Sequence, residues 1–205
     1  MQQKIFPLLI SVLFLFSSCN YFFKTKLPVY GNKTVSPNGD SLDYTLPVFS
    51  YLDQDSNTVD VAAIQNKIFV AEFFFTSCPS ICPKMQQQML RFYEKYKDNS
   101  DVIILAFTID PQRDSVGKLN TYAHKLKIET SKWHLLTGNK DSIYALAESF
   151  LVSAAEDADA PGGHIHSGNF VLVDAKQRLR GYYDGTNEES VTKLLDETDL
   201  LLQEK

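Results

Sequence analysis

Two cysteines separated by three residues are the part of this chain best suited to chemistry. Cys78 and Cys82 directly follow the apolar run 68–75 and directly precede a segment with helical periodicity. A thiol at a strand-to-helix turn lies near a helix N-terminus, which stabilises the thiolate. Thiolates in that setting exchange disulfides or bind a soft metal ion. If the turn is helical, the two sulfurs lie one turn apart and could both reach one ion.

Two of the four histidines stand where a third ligand would be needed. His164 and His166 close a glycine-rich segment immediately before a predicted strand. If that segment is extended, alternation about residue 165 places both imidazoles on one side. His124 is interpreted as a surface residue of a helix and His134 as a packed or edge residue of a strand. Without the cysteines, His164 and His166 would also be interpreted as ordinary loop residues.

Strands and helices alternate around these residues in an order that predicts an α/β fold. Two strand–helix–strand crossovers make the first strands parallel, and a closing hairpin adds an antiparallel edge. This order is thioredoxin-like: a central mixed β-sheet flanked by helices, in a single domain behind an N-terminal signal and tether. The predicted strands are 46–51, 68–75, 102–109, 133–137, 170–173 and 180–183, the predicted helices are 83–97, 114–126, 140–151 and 188–203, and 153–167 is predicted to be a loop.

Composition limits the classes of partner. The chain has 205 residues and a formal net charge of −5, and it has no block rich in lysine or arginine. These values predict one core and no binding to nucleic acid.

The N-terminus resembles that of a bacterial lipoprotein. The apolar stretch 5–16 has the length of a signal sequence, is too short to span a bilayer as a helix, and leads into Cys19. We therefore expect 1–19 to be the signal and anchor, with lipid on Cys19, 20–45 to be a tether, and 46–205 to be the domain. The alternative is an uncleaved anchor that continues past Cys19. With Cys19 lipidated, the other two cysteines form one functional pair.

Three separated segments of the chain carry recognisable motifs: 74–83 (FFTSCPSICP), 108–115 (TIDPQRDS) and 166–174 (HSGNFVLVD). Taken together, they resemble the Sco/SenC copper proteins, which are thioredoxin-fold copper chaperones for cytochrome c oxidase. They occur in the family's order and at compatible spacing, and the resemblance extends over 46–205. It implies one copper ion per chain, as Cu(I) or Cu(II), held by Cys78, Cys82 and His166.

The resemblance also assigns residues around the ligands. Asp110, Arg113 and Asp114 match a family segment that would support the ligands or face a partner. The alternative is a helix cap made by Asp114 or Ser115, with Arg113 paired to an acid. His164 has no counterpart in the usual motif, so an auxiliary ligand, a supporting group and a residue without a role all stay open.

Glu72 lies in the middle of a strand that otherwise looks buried, six residues before Cys78. Thioredoxin-like oxidoreductases carry an acid at this offset, where it assists proton transfer at the thiols. A buried carboxylate is costly unless it is protonated or partnered, so the residue favours some redox capability. The alternative is that Glu72 faces a polar layer at the sheet surface.

Two functions are consistent with the sequence. The first is a copper chaperone, not an enzyme, that delivers copper to the binuclear site of cytochrome c oxidase, with subunit II or a similar acceptor as partner. The second is a thiol–disulfide oxidoreductase that keeps the acceptor's cysteines reduced, with Cys78 attacking and Cys82 resolving. Both roles in one protein also fit. In either case we expect the domain in the cell envelope, on the periplasmic side of a membrane that holds the N-terminal lipid.

Overall fold

The computed structural model describes residues 26–205. The predicted signal 1–19, with the predicted anchor Cys19, lies outside the described residues. Among residues 26–205, none of the helices has the length and apolar character needed to cross a membrane. The strands are β1 Thr34–Val35, β2 Ser41–Leu42, β3 Ser50–Leu52, β4 Thr58–Asp60, β5 Ile68–Phe74, β6 Val102–Thr108, β7 Trp133–Leu136, β8 Ala154–Glu156, β9 His164–His166, β10 Asn169–Val173 and β11 Leu179–Asp184.

Four helices and one short 3₁₀ turn complete the domain. Pro83 stands in the first turn of the first helix, where a missing backbone N–H costs nothing. The helices are α1 Cys82–Tyr96, α2 Val116–Leu126, α3 Lys140–Ser149 and α4 Glu188–Glu204, and the 3₁₀ turn is Pro161–Gly163.

A five-stranded mixed sheet in the order β11-β10-β5-β6-β7 lies at the centre. β5, β6 and β7 are parallel, whereas β10 is antiparallel to both β5 and β11. All residues of β5 and β6 are buried, as expected for central strands covered on both faces. The predicted thioredoxin-like fold, a mixed sheet flanked by helices, is therefore confirmed.

Helices cover both faces of the sheet and divide the core in two. One half packs α1, α2 and α4 against the alternate β5 residues Ile68, Val70 and Phe74. The other packs α3 and the β3–β4 hairpin against the opposite β5 face, which includes Phe69 and Phe73. Because a strand places successive side chains on opposite faces, one apolar run supplies both halves.

Two predicted elements differ from those observed. The predicted loop 153–167 contains a short antiparallel hairpin, in which β8 pairs with β9 from Ala154↔His166 to Glu156↔His164. Its three-residue strands are too short, and its composition too rich in loop residues, to give a period-2 signal. The predicted strand 46–51 is ordered as a strand only over Ser50–Leu52.

Residues 26–46, which we call the N-terminal strap, lie against the domain. Leu27 is buried, and Tyr30 N donates to Leu179 O at 2.9 Å, so the strap pairs with the outer edge of β11. At its other end Leu46 is buried and its N–H donates to Gln177 O. The described part of the predicted tether is thus in contact with the domain.

Candidate metal site

The cysteine turn and the histidine hairpin meet at the carboxyl end of β5. The turn follows Phe74, the last residue of β5, and ends where Cys82 begins α1. β10 runs antiparallel to β5, so its N-terminal end, which follows His166, lies at the same edge of the sheet. The three residues between the cysteines, 79–81, form a bend and not a helical turn, so the helical arrangement is wrong. Fold topology, rather than helical spacing, brings Cys78, Cys82 and His166 together.

The three side chains form one group of ligand atoms. Their sulfur and nitrogen atoms lie within 4.8 Å of one another. Both cysteines are free thiols, and Cys82 Sγ lies 3.4 Å from His166 Nε2. His166 Nδ1 lies 3.1 Å from Ser167 O, which can only accept, so Nδ1 carries the proton. Nε2 therefore directs a free lone pair at the sulfurs, the orientation that a metal ligand needs.

The pKa values of the two thiols are shifted in opposite directions. Partial burial tends to raise the pKa of Cys78, but hydrogen bonds from the Cys82 thiol and from the Ser80 and Cys82 backbones outweigh it, and the pKa is lowered. Burial raises the pKa of Cys82, and the adjacent Cys78 raises it further. Burial lowers the pKa of His166, so its imidazole is neutral near pH 7. The outer thiol is the better nucleophile, and the inner thiol holds its proton.

Iodoacetamide is expected to alkylate Cys78 at least about tenfold faster than Cys82 in the reduced protein at pH 7.5, because only Cys78 combines exposure with a lowered pKa. Peptide mass spectrometry over time measures both rates. Denatured protein is the control, and there the two rates should converge. Equal rates in the native state would show that the turn does not distinguish the thiols.

Phe75 forms one wall of the site and was not predicted to take part. Its ring centroid lies 5.2 Å from that of His164 and 5.9 Å from that of His166. The two imidazoles therefore do lie on one side of the hairpin, as alternation predicts. Gly162 permits this contact, because a Cβ there would lie 2.7 Å from Phe75 Cε2 and its φ of +84° is unfavourable for other residues.

His164 lines the same cleft but is not in the ligand group. Its ring is buried; Nε2 lies 3.1 Å from Arg113 Nη2, and Nδ1 lies 3.3 Å from the Tyr144 hydroxyl. Arg113 Nη2 also donates to Gly162 O at 2.9 Å. These contacts tie the hairpin that carries His166 to α3 and to the loop before α2. Tyr144 gives no signal in the sequence, because helical periodicity identifies only its inward neighbours.

Asp114 stabilises the cysteine turn by hydrogen bonding. It is fully buried, and it accepts hydrogen bonds from the Thr76 N–H at 2.9 Å, the Thr76 hydroxyl and the Thr108 hydroxyl. Ser115, not Asp114, caps α2 by accepting from Lys118 N. A carboxylate that follows β6 therefore holds the turn that follows β5, at the edge where the ligands lie.

Asp110 and Arg113 belong to the same loop but act on the hairpin side. Arg113 Nε forms an ion pair with the buried Asp110, as the capping alternative expected, and His164 Nε2 lies 3.7 Å from the same carboxylate. The Arg113 side chain is about half exposed, so it reaches from the buried pair to the rim of the site. These contacts support the histidine hairpin rather than the sulfurs.

Glu72 is fully buried in β5, so a polar layer at the sheet surface is wrong. Burial raises the pKa of Glu72 to about 8, although a hydrogen bond from Gln86 opposes the shift. Gln86 Nε2 lies 3.3 Å from Glu72 Oε1, whereas the buried Gln86 Oε1 has no protein partner among residues 26–205. A protonated Glu72 could donate to that oxygen. The carboxyl is therefore neutral over much of the physiological pH range.

A thioredoxin-like domain with a dithiol and a neutral imidazole at one edge of its sheet defines a class of thiol-redox and metal-binding proteins. The family of this chain follows from comparison. The SCO1/SenC family model matches residues 39–199, most of the chain, and the chain belongs to the SCO1/SenC family.

Known proteins agree with this assignment over the whole domain. A SCO1 protein homolog of Bacillus subtilis is 31% identical over 150 residues, which cover 71% of this chain and 77% of that protein. A SCO1/SenC family lipoprotein of Bacillus anthracis superposes with a TM-score of 0.71 at 26% identity, covering 78% of this chain and 95% of the other.

Two further solved structures cover similar parts. BsSco, described with a disulfide switch as a member of the Sco family of cytochrome c oxidase assembly proteins, matches with a TM-score of 0.66, 27% identity, and coverage of 78% and 95%. Copper-bound ScoI of Arabidopsis thaliana has a TM-score of 0.66, 24% identity, and coverage of 78% and 99%, a likeness that bears on the fold alone.

Proposed function

We propose that this protein is a copper chaperone that holds one copper ion at Cys78, Cys82 and His166 and passes it to an acceptor during cytochrome c oxidase assembly. The observation that carries the proposal is the convergence of two sulfurs and one unprotonated Nε2 within 4.8 Å. Two thiolates satisfy Cu(I), and an imidazole helps to accommodate Cu(II). The acceptor we expect is subunit II or a protein with a similar copper site.

The unequal thiols suit a site that must load and release its cargo. Cys78 is partly exposed and its pKa is lowered, so it ionises readily and can be reached by an incoming ligand. Cys82 is buried at the start of α1, where the positive end of the helix dipole offsets part of the cost of ionising a buried thiol. His166 is fixed by Ser167 and Phe75. The copper would leave as an acceptor thiolate replaces the outer thiol first.

The acceptor would approach through a cleft of about 180 Å³ beside Cys78. Phe75, Ile81 and Pro161 form apolar walls, and the half-exposed Ile165 stands at the rim. A larger cavity of about 610 Å³ between β3 and α3 has no cysteine or histidine in its lining, so it offers copper no soft ligand.

The alternative function is thiol–disulfide exchange with the same acceptor. A nucleophilic outer thiol, a protonated inner thiol and the buried Glu72 favour it. In that reaction the Cys78 thiolate attacks an acceptor disulfide and forms a mixed disulfide. Cys82 then loses its proton and attacks Cys78 Sγ, which leaves a Cys78–Cys82 disulfide and a reduced acceptor. Glu72 would be the proton carrier.

Anaerobic titration of the reduced protein with copper separates the two functions. The chaperone should bind one ion per chain tightly and, as Cu(II), show a sulfur-to-copper charge-transfer band. His166→Ala should abolish the band and weaken retention by about tenfold or more, whereas disulfide exchange with a thiol substrate should largely survive. His124→Ala, at an exposed histidine of α2, is the matched control.

Two results of this titration would contradict the proposal. If the protein binds no copper specifically but cycles a Cys78–Cys82 disulfide readily, the copper proposal fails and the oxidoreductase stands. If His166→Ala binds copper as the unaltered protein does, the third ligand has been misassigned.

We also propose that the protein is lipid-anchored through Cys19 in the cell envelope, with the domain on the periplasmic side. The similarity to a lipoprotein of the same family supports this. Mass spectrometry of the mature N-terminal peptide tests it, since lipidation would attach diacylglycerol to the Cys19 sulfur through a thioether and leave Cys19 as the first residue. An unmodified Cys19 preceded by the apolar stretch would instead indicate an uncleaved anchor.

A further inference from the structure

A buried arginine fastens the N-terminal strap to the domain. The Arg180 side chain is 3% exposed, and its Nη2 and Nε donate to Leu27 O at 2.8 Å and Pro28 O at 3.0 Å. The same guanidinium pairs with Asp174 at 2.8 Å and with Glu204 at 3.0 Å. An arginine whose planar donors are shared among two backbone carbonyls and two carboxylates holds its partners in one geometry.

We call this set of contacts around Arg180 the clamp. From the clamp, the strap continues around the edge of the sheet. Tyr30 pairs with the free edge of β11 through Leu179, and its ring packs edge-on against Tyr182 at 5.2 Å. Leu27 belongs to the core on the α1 and α4 side, whereas Leu46 belongs to the core on the α3 side. The strap thus crosses from one face of the sheet to the other and is fixed at both ends.

The clamp and the thiols lie at opposite ends of the sheet. Leu179 is aligned with Val173, and Val173 with Phe69, so the clamp stands at the level of the first residues of β5. The cysteine turn begins only after Phe74, the last residue of β5. The seven residues of β5 rise by about 20 Å. The chain therefore enters the domain at the end of the sheet farthest from the ligand group.

We propose that the N-terminal strap sets the orientation of the domain on its membrane, with the Cys78–Cys82–His166 edge facing away from the lipid. This rests on the proposed N-terminal membrane attachment. Only seven peptide steps lead from Cys19 to Lys26, and even fully extended they span about 25 Å. So short a connection to the end of the domain that carries the clamp leaves the domain little freedom to turn its ligand edge toward the membrane.

The orientation defines the kind of acceptor that can be served. Its metal-accepting thiolates have to stand above the membrane surface by roughly the height of this domain, on a part that projects into the periplasm. A thiolate site at the lipid surface would meet the β10–β11 turn and the strap instead. A structural explanation of the strap is that it merely covers the edge of β11, which protects a strand from pairing with other chains. That explanation predicts no preferred orientation.

Fluorescence quenching on vesicles distinguishes the two explanations. The full chain is reconstituted into vesicles of phosphatidylethanolamine and phosphatidylglycerol that carry a short-range quencher on the headgroups. Cys78→Ser/Cys82→Ser protein receives one dye, either at Lys176→Cys in the β10–β11 turn or at Ile165→Cys beside the ligands. Both positions are exposed. Peptide mass spectrometry verifies the labelled residue.

The proposal predicts that the dye at 176 is quenched several-fold more strongly than the dye at 165. Equal quenching, or stronger quenching at 165, overturns it. A Leu27→Asp/Tyr30→Pro pair should release the strap and abolish the difference, while circular dichroism verifies that the domain stays folded. If the full chain does not associate with vesicles, the membrane half of the proposal fails. The copper titration is independent of the strap, so failure here leaves the chaperone function standing.

Discussion

Asp114→Ala is expected to lower the free energy of unfolding of the reduced, metal-free protein by about 3 to 5 kcal/mol. The substitution removes the acceptor of the fully buried Thr108 hydroxyl and of the N–H and hydroxyl of the partly buried Thr76. Urea denaturation followed by circular dichroism measures the change. The same variant should retain copper less well, because the turn that carries Cys78 loses its brace.

Two further variants make this prediction specific. Asp114→Asn keeps the shape and one acceptor oxygen, so its cost should be smaller, about 1 to 2 kcal/mol. Asp98→Ala removes an exposed carboxylate and should change stability by no more than about 0.5 kcal/mol. If Asp114→Ala costs no more than Asp98→Ala, the carboxylate does not hold the turn.

Glu72→Gln is expected to stabilise the reduced protein, by about 3 kcal/mol at pH 7. Burial raises the pKa of Glu72 to about 8 from its ordinary value of 4.5. Between those pH values the native state holds a proton that the unfolded state has lost, so Glu72 lowers stability progressively as pH rises. Below 4.5 both states are protonated and the effect vanishes. The amide introduced by Glu72→Gln is neutral at every pH, and it could donate to the unpartnered Gln86 Oε1.

Urea denaturation at several pH values between 4 and 9 checks both the size and the sign of this effect. The difference between Glu72→Gln and the unaltered protein should grow with pH up to about 8 and then level off. Glu129→Gln, at an exposed acid, is the control and should give no such trend. A destabilised Glu72→Gln, or a difference that does not depend on pH, would show that the carboxyl is not held neutral by burial. Stabilisation by removal would indicate that Glu72 is kept for its chemistry.

The order of the fold could be predicted because its strongest signals are local. Apart from Glu72 and the terminal Thr108, the runs that form β5 and β6 are apolar, a pattern typical of strands covered on both faces, and each is followed by a helical segment. The β8–β9 hairpin could not be predicted, because its strands are short and its stability comes from contacts with α3 and the loop before α2. The docking of the strap depends on Arg180, which in sequence resembles any arginine of an edge strand.

The residues of the site likewise include some that the sequence indicates and some that it does not. The types and order of Cys78, Cys82 and His166 are visible in the sequence, and topology alone brings them to one edge. The groups that fix them are not visible in the sequence. Phe75 resembles one more residue of an apolar run, and Tyr144 resembles a helix residue beside the inward face. Their roles depend on which distant side chain they meet, and no spacing along the chain encodes that.

The path of the strap also constrains the order in which the chain can fold. Leu27 N lies 3.4 Å from Glu204 Oε1, 177 residues away, and Leu27 O accepts from Arg180, 153 residues away. The first described residues therefore have no place to dock until the last helix exists, although they are synthesised first. Closing so long a loop comes late in folding, after the sheet and α4 are in place. The described residues that are synthesised first are thus the last to be buried, and their burial marks a complete domain.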